Sequence, residues 1–148
     1  KYDSSIFPTW TPLYGVYNAP AHPYHPSMVN IMKEDNDGLI MEFPVAVYEL
    51  CKLKVPIAGG FWLRLWGLDL IEKGIRKINN KGFPTVIYIH NWELDPETPK
   101  LKLSFYKRFV TYYHIEKTEK LFRSILMKFK FTNFADHIVS NMVRGECN

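Results

Sequence analysis

Little in this sequence suits a membrane, a disulfide-built scaffold or a nucleic-acid complex. No run of about eighteen apolar residues occurs in the 148-residue chain, which argues against a membrane span. The start carries no leader-like apolar segment, and Lys1-Tyr2-Asp3, without a methionine, reads as the opening of a processed or truncated product. There are two cysteines, Cys51 and Cys147, far apart and the second in a polar tail. They make neither a metal knuckle nor a disulfide framework, so a reducing, cytoplasmic setting is the expectation. The net charge of +4 comes from scattered Lys and Arg that mostly alternate with apolar residues, the pattern of a solvated face. With no reading motif and no long basic block, nucleic acid is not an expected partner. Internal repeats and low-complexity tracts are absent.

Apolar residues are plentiful at 47%, enough for the core of one domain of this length. Four Trp, nine Tyr and ten Phe exceed what such a core needs. Many stand in Pro-rich sequence, where exposed rings commonly form the floor for sugar rings or protein partners.

The chain reads as a single unit in three parts. Residues 1–38 have little regular pattern. Pro8, Pro12, Pro20, Pro23 and Pro26 alternate with Trp10, Tyr14, Tyr17 and Tyr24, which predicts an ordered surface loop pinned by aromatic rings. Glu34 to Gly38 is a turn by composition. Residues 39–95 begin with a strand over Leu39–Leu50, demoted to an edge strand or bulged by Pro44. A helix from about Trp62 to Asn79 follows, with Phe61, Leu65, Leu68, Ile71, Ile75 and Ile78 on one face and a stop at Asn79-Asn80-Lys81-Gly82. Val86-Ile87-Tyr88-Ile89, entered from Gly82 and Pro84, reads as a strand buried on both faces. Strand, helix, strand is the crossover unit of an α/β fold. Residues 96–148 are helical: a brief helix with Phe105, Phe109 and Tyr112, a firmer one over Thr118–Phe129, and a last one capped by Asn133 and carrying Phe134, Ile138 and Met142.

Chemistry concentrates where Val86–Ile89 ends, at His90-Asn91-Trp92-Glu93-Leu94-Asp95. In parallel α/β folds reacting groups gather at strand ends. An imidazole there can hold a proton near neutrality and deliver it to a leaving group, so His90 is the first catalytic candidate; a satisfied structural histidine is the alternative. Gly59 and Gly60 precede the long helix, where unpaired N–H groups allow an anion or hydroxyl to approach, or form a simple tight turn. Arg64 sits in the first turn, an unfavourable end for a cation, which points to an anionic partner unless it is a plain surface arginine. His22 and His25 lack helical spacing and a third ligand, which argues against zinc there. Ser4 has no strand–elbow–helix setting, so a serine-esterase reading fails.

Together these residues resemble the C-terminal portion of a polysaccharide deacetylase of the carbohydrate esterase type, in the subgroup with an extra C-terminal extension found in exopolysaccharide loci. Tyr2-Asp3-Ser4-Ser5-Ile6-Phe7-Pro8 resembles the fourth deacetylase motif. Leu13-Tyr14-Gly15, Ala19-Pro20 and Pro23-Tyr24 resemble the subgroup's loop, and Ala58-Gly59-Gly60 through Arg64 its Gly-rich turn and arginine. Ile87 to Pro96 resembles the fifth motif, with His-Asn-Trp-Glu in place of the family's His-Pro-Trp-Glu; Tyr112 and Thr118-Glu119 continue the match. The resemblance implies the C-terminal part of a distorted (β/α) barrel of seven strands with a helical extension. It implies metal-assisted attack of water on the acetamide carbonyl of an acetylated polysaccharide, with His90 protonating the leaving amine and Asp3 orienting His90. Arg64, Gly59, Gly60, Trp62, Trp92 and Tyr112 become substrate-binding candidates. The family's divalent metal, zinc first, is held by one Asp and two His in motifs that lie before Lys1. No metal is therefore expected on this chain alone, the isolated chain is expected to be inactive, and the missing N-terminal half is an expected partner. A non-catalytic glycan- or partner-binding module, working through the aromatic loop, is the second reading.

Overall fold

The computed structural model describes residues 1–12, 14–51 and 53–144. Its elements are β1 (Tyr2–Asp3), β2 (Met41–Glu42), β3 (Val47–Leu50), β4 (Leu53–Pro56), α1 (Gly60–Asn80), α2 (Phe105–Tyr112), α3 (Thr118–Lys128) and α4 (Phe134–Arg144). Single 3-10 turns occupy Asn91–Leu94 and Ile115–Lys117.

Pro44 divides the expected Leu39–Leu50 strand. Before it, β2 pairs in parallel with β1, Tyr2 opposite Met41 and Asp3 opposite Glu42. After it, β3 pairs antiparallel with β4 in a hairpin that closes from Leu50 to Leu53. A proline has no N–H to give a ladder, so the two halves take different partners. Val45 continues the parallel run: its N–H donates to the Ile6 carbonyl at 2.9 Å, and it bridges Val86 in parallel. Chain segments 1–6, 41–46 and 86–89 thus lie side by side in one direction, with α1 between the second and third.

That third segment differs from expectation. Val86–Ile89 makes one parallel bridge, at Val86, and one backbone bond, Ala46 N–H to the Val86 carbonyl at 3.2 Å. It is not buried on both faces: Tyr88 is 52% exposed, while Val86, Ile87 and Ile89 are half-buried. Its β-branched composition favours extended backbone, and tertiary pairing beyond one bridge is supplied by nothing else among the described residues.

Helix α1 is bent at Gly67, whose φ of 71° and ψ of 178° are non-helical. One such residue interrupts the 100° step, yet the buried positions still fall on one side of the helix. The buried set is Leu63 and Arg64 before the bend and Ile71, Gly74 and Ile75 after it; Phe61 and Leu65 are only partly covered. The helix ends in a Schellman arrangement. Gly82, at φ 86°, bonds back to the Asn79 carbonyl and Phe83 to that of Ile78. α1 packs on α3 and β3, and the core joins Phe7, Val45, Val47, Ile57, Leu63, Ile71, Ile75 and Ile125. Each such side chain contributes roughly 1.5–3 kcal/mol by leaving water.

The Pro-rich region is held by a smaller cluster, Ile6, Ala19 and Tyr24, with Val16 against it. Tyr24 is the pinning ring; Trp10, Tyr14 and Tyr17 are exposed. The Tyr24 hydroxyl donates to the Ile31 carbonyl at 2.5 Å, and burial, with Glu42 and Glu34 adding, pushes its pKa up to about 12. Asn133 caps α4 by accepting from the Asp136 N–H at 2.9 Å. Met142 on that helix is exposed. Among the described residues no helix is long and apolar enough to cross a membrane. Cys147 lies outside them; Cys51 is an exposed free thiol at the β3–β4 turn.

Candidate functional site

Past Val86–Ile89 the backbone turns into the 3-10 turn Asn91–Leu94, with His90 as its extended N-terminal flank. Glu93 stands three residues on, and its carboxylate reaches back to accept the His90 backbone N–H at 3.1 Å, the glutamate half of a capping box. The same oxygen, Oε2, lies 3.3 Å from His90 Nδ1. The other oxygen, Oε1, accepts from Arg64 Nη1 at 3.1 Å. Burial differs sharply along this line. The Arg64 side chain is 0% exposed and that of Glu93 6%, whereas His90 is 45% exposed. On its outer edge the imidazole meets the Tyr88 hydroxyl, 2.8 Å from Nε2, and Trp92 stacks on it at 5.7 Å.

Arg64 finds its anion inside the protein. Besides Glu93, its Nη1 donates to Thr118 Oγ1 at 3.1 Å, and Nη2 to the Val110 and Thr111 carbonyls at 3.2 Å each. Those carbonyls belong to the last turn of α2, where a cation is favourable. Burial pulls the guanidinium below its usual value and the Glu93 charge opposes that. One residue near the start of α1 therefore fastens the 3-10 turn, α2 and the first residue of α3.

Gly60 makes this possible. A Cβ there would stand 2.3 Å from Glu93 Oε1 and 2.8 Å from Oε2. The anion that approaches the paired glycines is Glu93's own carboxylate, at the positive end of α1. Gly59 faces the Trp62 ring and the Tyr88 carbonyl, each 3.5 Å from where its Cβ would be.

The remaining candidates are placed as follows. Asp3 is not brought to His90. Its carboxylate is satisfied locally, by the Ser4 N–H at 2.9 Å and the Ser5 hydroxyl at 2.7 Å. In register it lies three positions before Val45, whereas His90 lies four positions after Val86, Val45's partner. Seven steps of extended chain span roughly 20 Å. The carboxylate at His90 Nδ1 is that of Glu93. Trp62 is half-buried between Phe61 and Trp66, stacking on the latter at 6.2 Å. The Tyr112 hydroxyl donates to the Pro99 carbonyl and accepts the Leu101 N–H, so it ties the 96–104 loop to α2.

Glu93 and Tyr88 carry the histidine's two nitrogens and were not among the candidate site residues. The signal for Glu93 was present, a glutamate three residues after a helix-flanking position. Tyr14 belongs to this neighbourhood as well. Burial raises its pKa, and Glu93, Tyr106 and Tyr88 raise it further; the nearby Trp62 side chain opposes them. His22 pairs with Glu34 at 3.7 Å and stacks on Phe83. Among the described residues no group of three His, Cys, Asp or Glu side chains is arranged to hold a metal ion.

Around this histidine–carboxylate pair the chain is a mixture of helices and two small two-stranded sheets, with a helical tail. The chain belongs to the family described as "Domain of unknown function (DUF3473)", which matches residues 4–139. No curated protein and no solved structure matches it.

Proposed function

We propose that this chain is the C-terminal part of a metal-dependent polysaccharide deacetylase that hydrolyses N-acetyl groups on sugars, with His90 protonating the departing amine. The observation that carries the reading is the half-exposed imidazole whose inner nitrogen faces a buried carboxylate, the environment of a proton donor open to substrate on one side. Three parallel extended segments support it too, since the closing part of a parallel barrel would present them. Among the described residues no set of side chains fits the family's metal. The metal-bearing half, in this reading, is a separate stretch of polypeptide. What this chain supplies is the proton, through His90, and an aromatic edge of Tyr88, Trp92 and Tyr14 against the sugar.

The test is acetate release from an N-acetylated chitooligosaccharide with added zinc. The isolated chain should give none, while the full product of its reading frame should turn over. His90→Ala in that product should lose roughly 10²–10⁴-fold in kcat, the scale of general acid catalysis. Turnover by the isolated chain, or a full product with no activity, overturns the proposal. The second reading, a non-catalytic glycan-binding module, is favoured by Trp10, which is 75% exposed. Polysaccharide binding lost in Trp10→Ala, with no acetate released by any form, would select it.

A further inference from the structure

We infer that Glu93, held in place by Arg64, is the positioning residue that fixes which nitrogen of His90 carries the ring proton, leaving Nε2 as the nitrogen that faces substrate. The argument is one of donors and acceptors. An ionised carboxylate only accepts. The Glu93 carboxylate is paired with the Arg64 guanidinium at 3.1 Å and also takes the His90 backbone N–H at 3.1 Å. A contact between Glu93 Oε2 and Nδ1 at 3.3 Å is therefore attractive only when Nδ1 bears the hydrogen. In the neutral ring Nε2 then has a lone pair, and the Tyr88 hydroxyl at 2.8 Å donates to it. The chain of hydrogen bonds has one consistent direction: Tyr88 to His90, His90 to Glu93, and Arg64 to Glu93 from the other side.

Rigidity comes from what surrounds the carboxylate. Gly60 leaves it no spare room, and Arg64 is itself fixed by Thr118 and by the Val110 and Thr111 carbonyls. Glu93 therefore cannot follow the ring outward, and the ring must come to it. Tyr88 plays the opposite part: it is half-exposed, and its hydroxyl covers Nε2 only until another donor takes that place. A substrate amine or a water could do so. Asp3, by contrast, is engaged by the Ser4 N–H and the Ser5 hydroxyl.

A leucine at position 93 shows why the tautomer is diagnostic. It is of similar size and offers no acceptor. Nδ1 then has no partner for its hydrogen, and the ring proton moves to Nε2, the nitrogen that an unconstrained imidazole favours. Had Glu93 merely packed against the ring, its replacement would leave the proton where it was.

The positioning role rests on the His90 proton transfer proposed above; the tautomer does not. The experiment is ¹⁵N NMR of the His90 imidazole in the 148-residue chain, at a pH where the ring is uncharged. The wild type should carry its proton on Nδ1. Tyr88→Phe should keep it there, and Glu93→Leu should move it to Nε2. In the full product, Glu93→Leu should lower kcat more than it raises KM. A wild-type ring protonated at Nε2, or a Glu93→Leu ring unchanged from wild type, overturns the inference. Should Glu93→Leu fail to fold, the wild-type and Tyr88→Phe spectra still decide it. A full product without deacetylase activity but with the Nδ1 tautomer refutes the enzymatic reading alone. An active product with the Nε2 tautomer refutes this inference alone.

Discussion

Gly60→Ala is the smallest change that should disturb this site. A methyl group there would stand 2.3 Å from Glu93 Oε1, 2.5 Å from Cδ and 2.8 Å from Oε2. Ordinary contact needs roughly 1 Å more, and the carboxylate is not a free chain end that can swing aside. It is gripped by Arg64 at 3.1 Å and by the His90 N–H at 3.1 Å. Moving it breaks a pair whose cation has no exposure and, among the described residues, no other carboxylate within ion-pair distance. Losing one partner of a buried pair costs about 3–5 kcal/mol. Alanine in place of glycine in a helix returns up to about 1 kcal/mol. A net loss of about 2–4 kcal/mol is expected. Equilibrium urea unfolding followed by tryptophan fluorescence measures it, and an unchanged m-value confirms that the native fold is the one being destabilised. A variant within about 0.5 kcal/mol of wild type, or more stable, refutes the account of Gly60 as the space the carboxylate needs.

Three further outcomes follow from the core and from buried titrating groups. Ile71→Ala, at a side chain with no exposure in the middle of α1, should cost about 2–5 kcal/mol in the same urea assay; a smaller loss would mean that the core collapses around the gap. Glu42 accepts the Ser5 and Ile6 N–H groups, and burial raises its pKa, with Asp3 adding. Its proton is bound more tightly folded than unfolded, so its contribution is best at low pH and is lost as pH rises through the raised value. Glu42→Gln keeps the acceptor and removes that dependence. The variant should gain on wild type as pH rises above the ordinary carboxylate value of 4.5, and a pH-independent difference in urea midpoint would contradict it. Tyr24, at about 12, likewise holds its proton more tightly folded. Its stabilisation should be complete below pH about 10 and fade as pH climbs toward about 12, and Tyr24→Phe should cost about 1 kcal/mol at neutrality. Thermal melts against pH, with phenolate absorbance, check both.

The parts of this fold that were legible in the sequence are those with local causes. α1 stops where Asn-Asn-Lys-Gly says it should, because a glycine at positive φ closes the helix within its own last turn. Asn133 announces α4 for the same kind of reason. What could not be read either carries no local signal or depends on partners far away in the chain. The β3–β4 hairpin turns at Cys51, at φ 56°, without the glycine or asparagine that usually marks such a turn. The bend at Gly67 is set by one glycine's backbone, and Phe61 and Leu65, expected on the covered side of α1, are only partly covered. At the site, His90 was visible as a strand-end imidazole and Arg64 as a cation that wanted an anion. That one glutamate answers both is a fact of three dimensions.

Arg64 has a consequence for how the molecule comes apart. α2 contains no buried residue, and between residues 96 and 114 none is buried at all. This stretch is held to the rest by one guanidinium gripping two carbonyls at 3.2 Å and by the Phe109 ring against Phe61 at 5.8 Å, while the Tyr112 hydroxyl ties it to itself. Segments anchored so sparsely open far below the global unfolding energy. A protease should therefore nick the molecule there first, leaving α1 and α3 still clasped together.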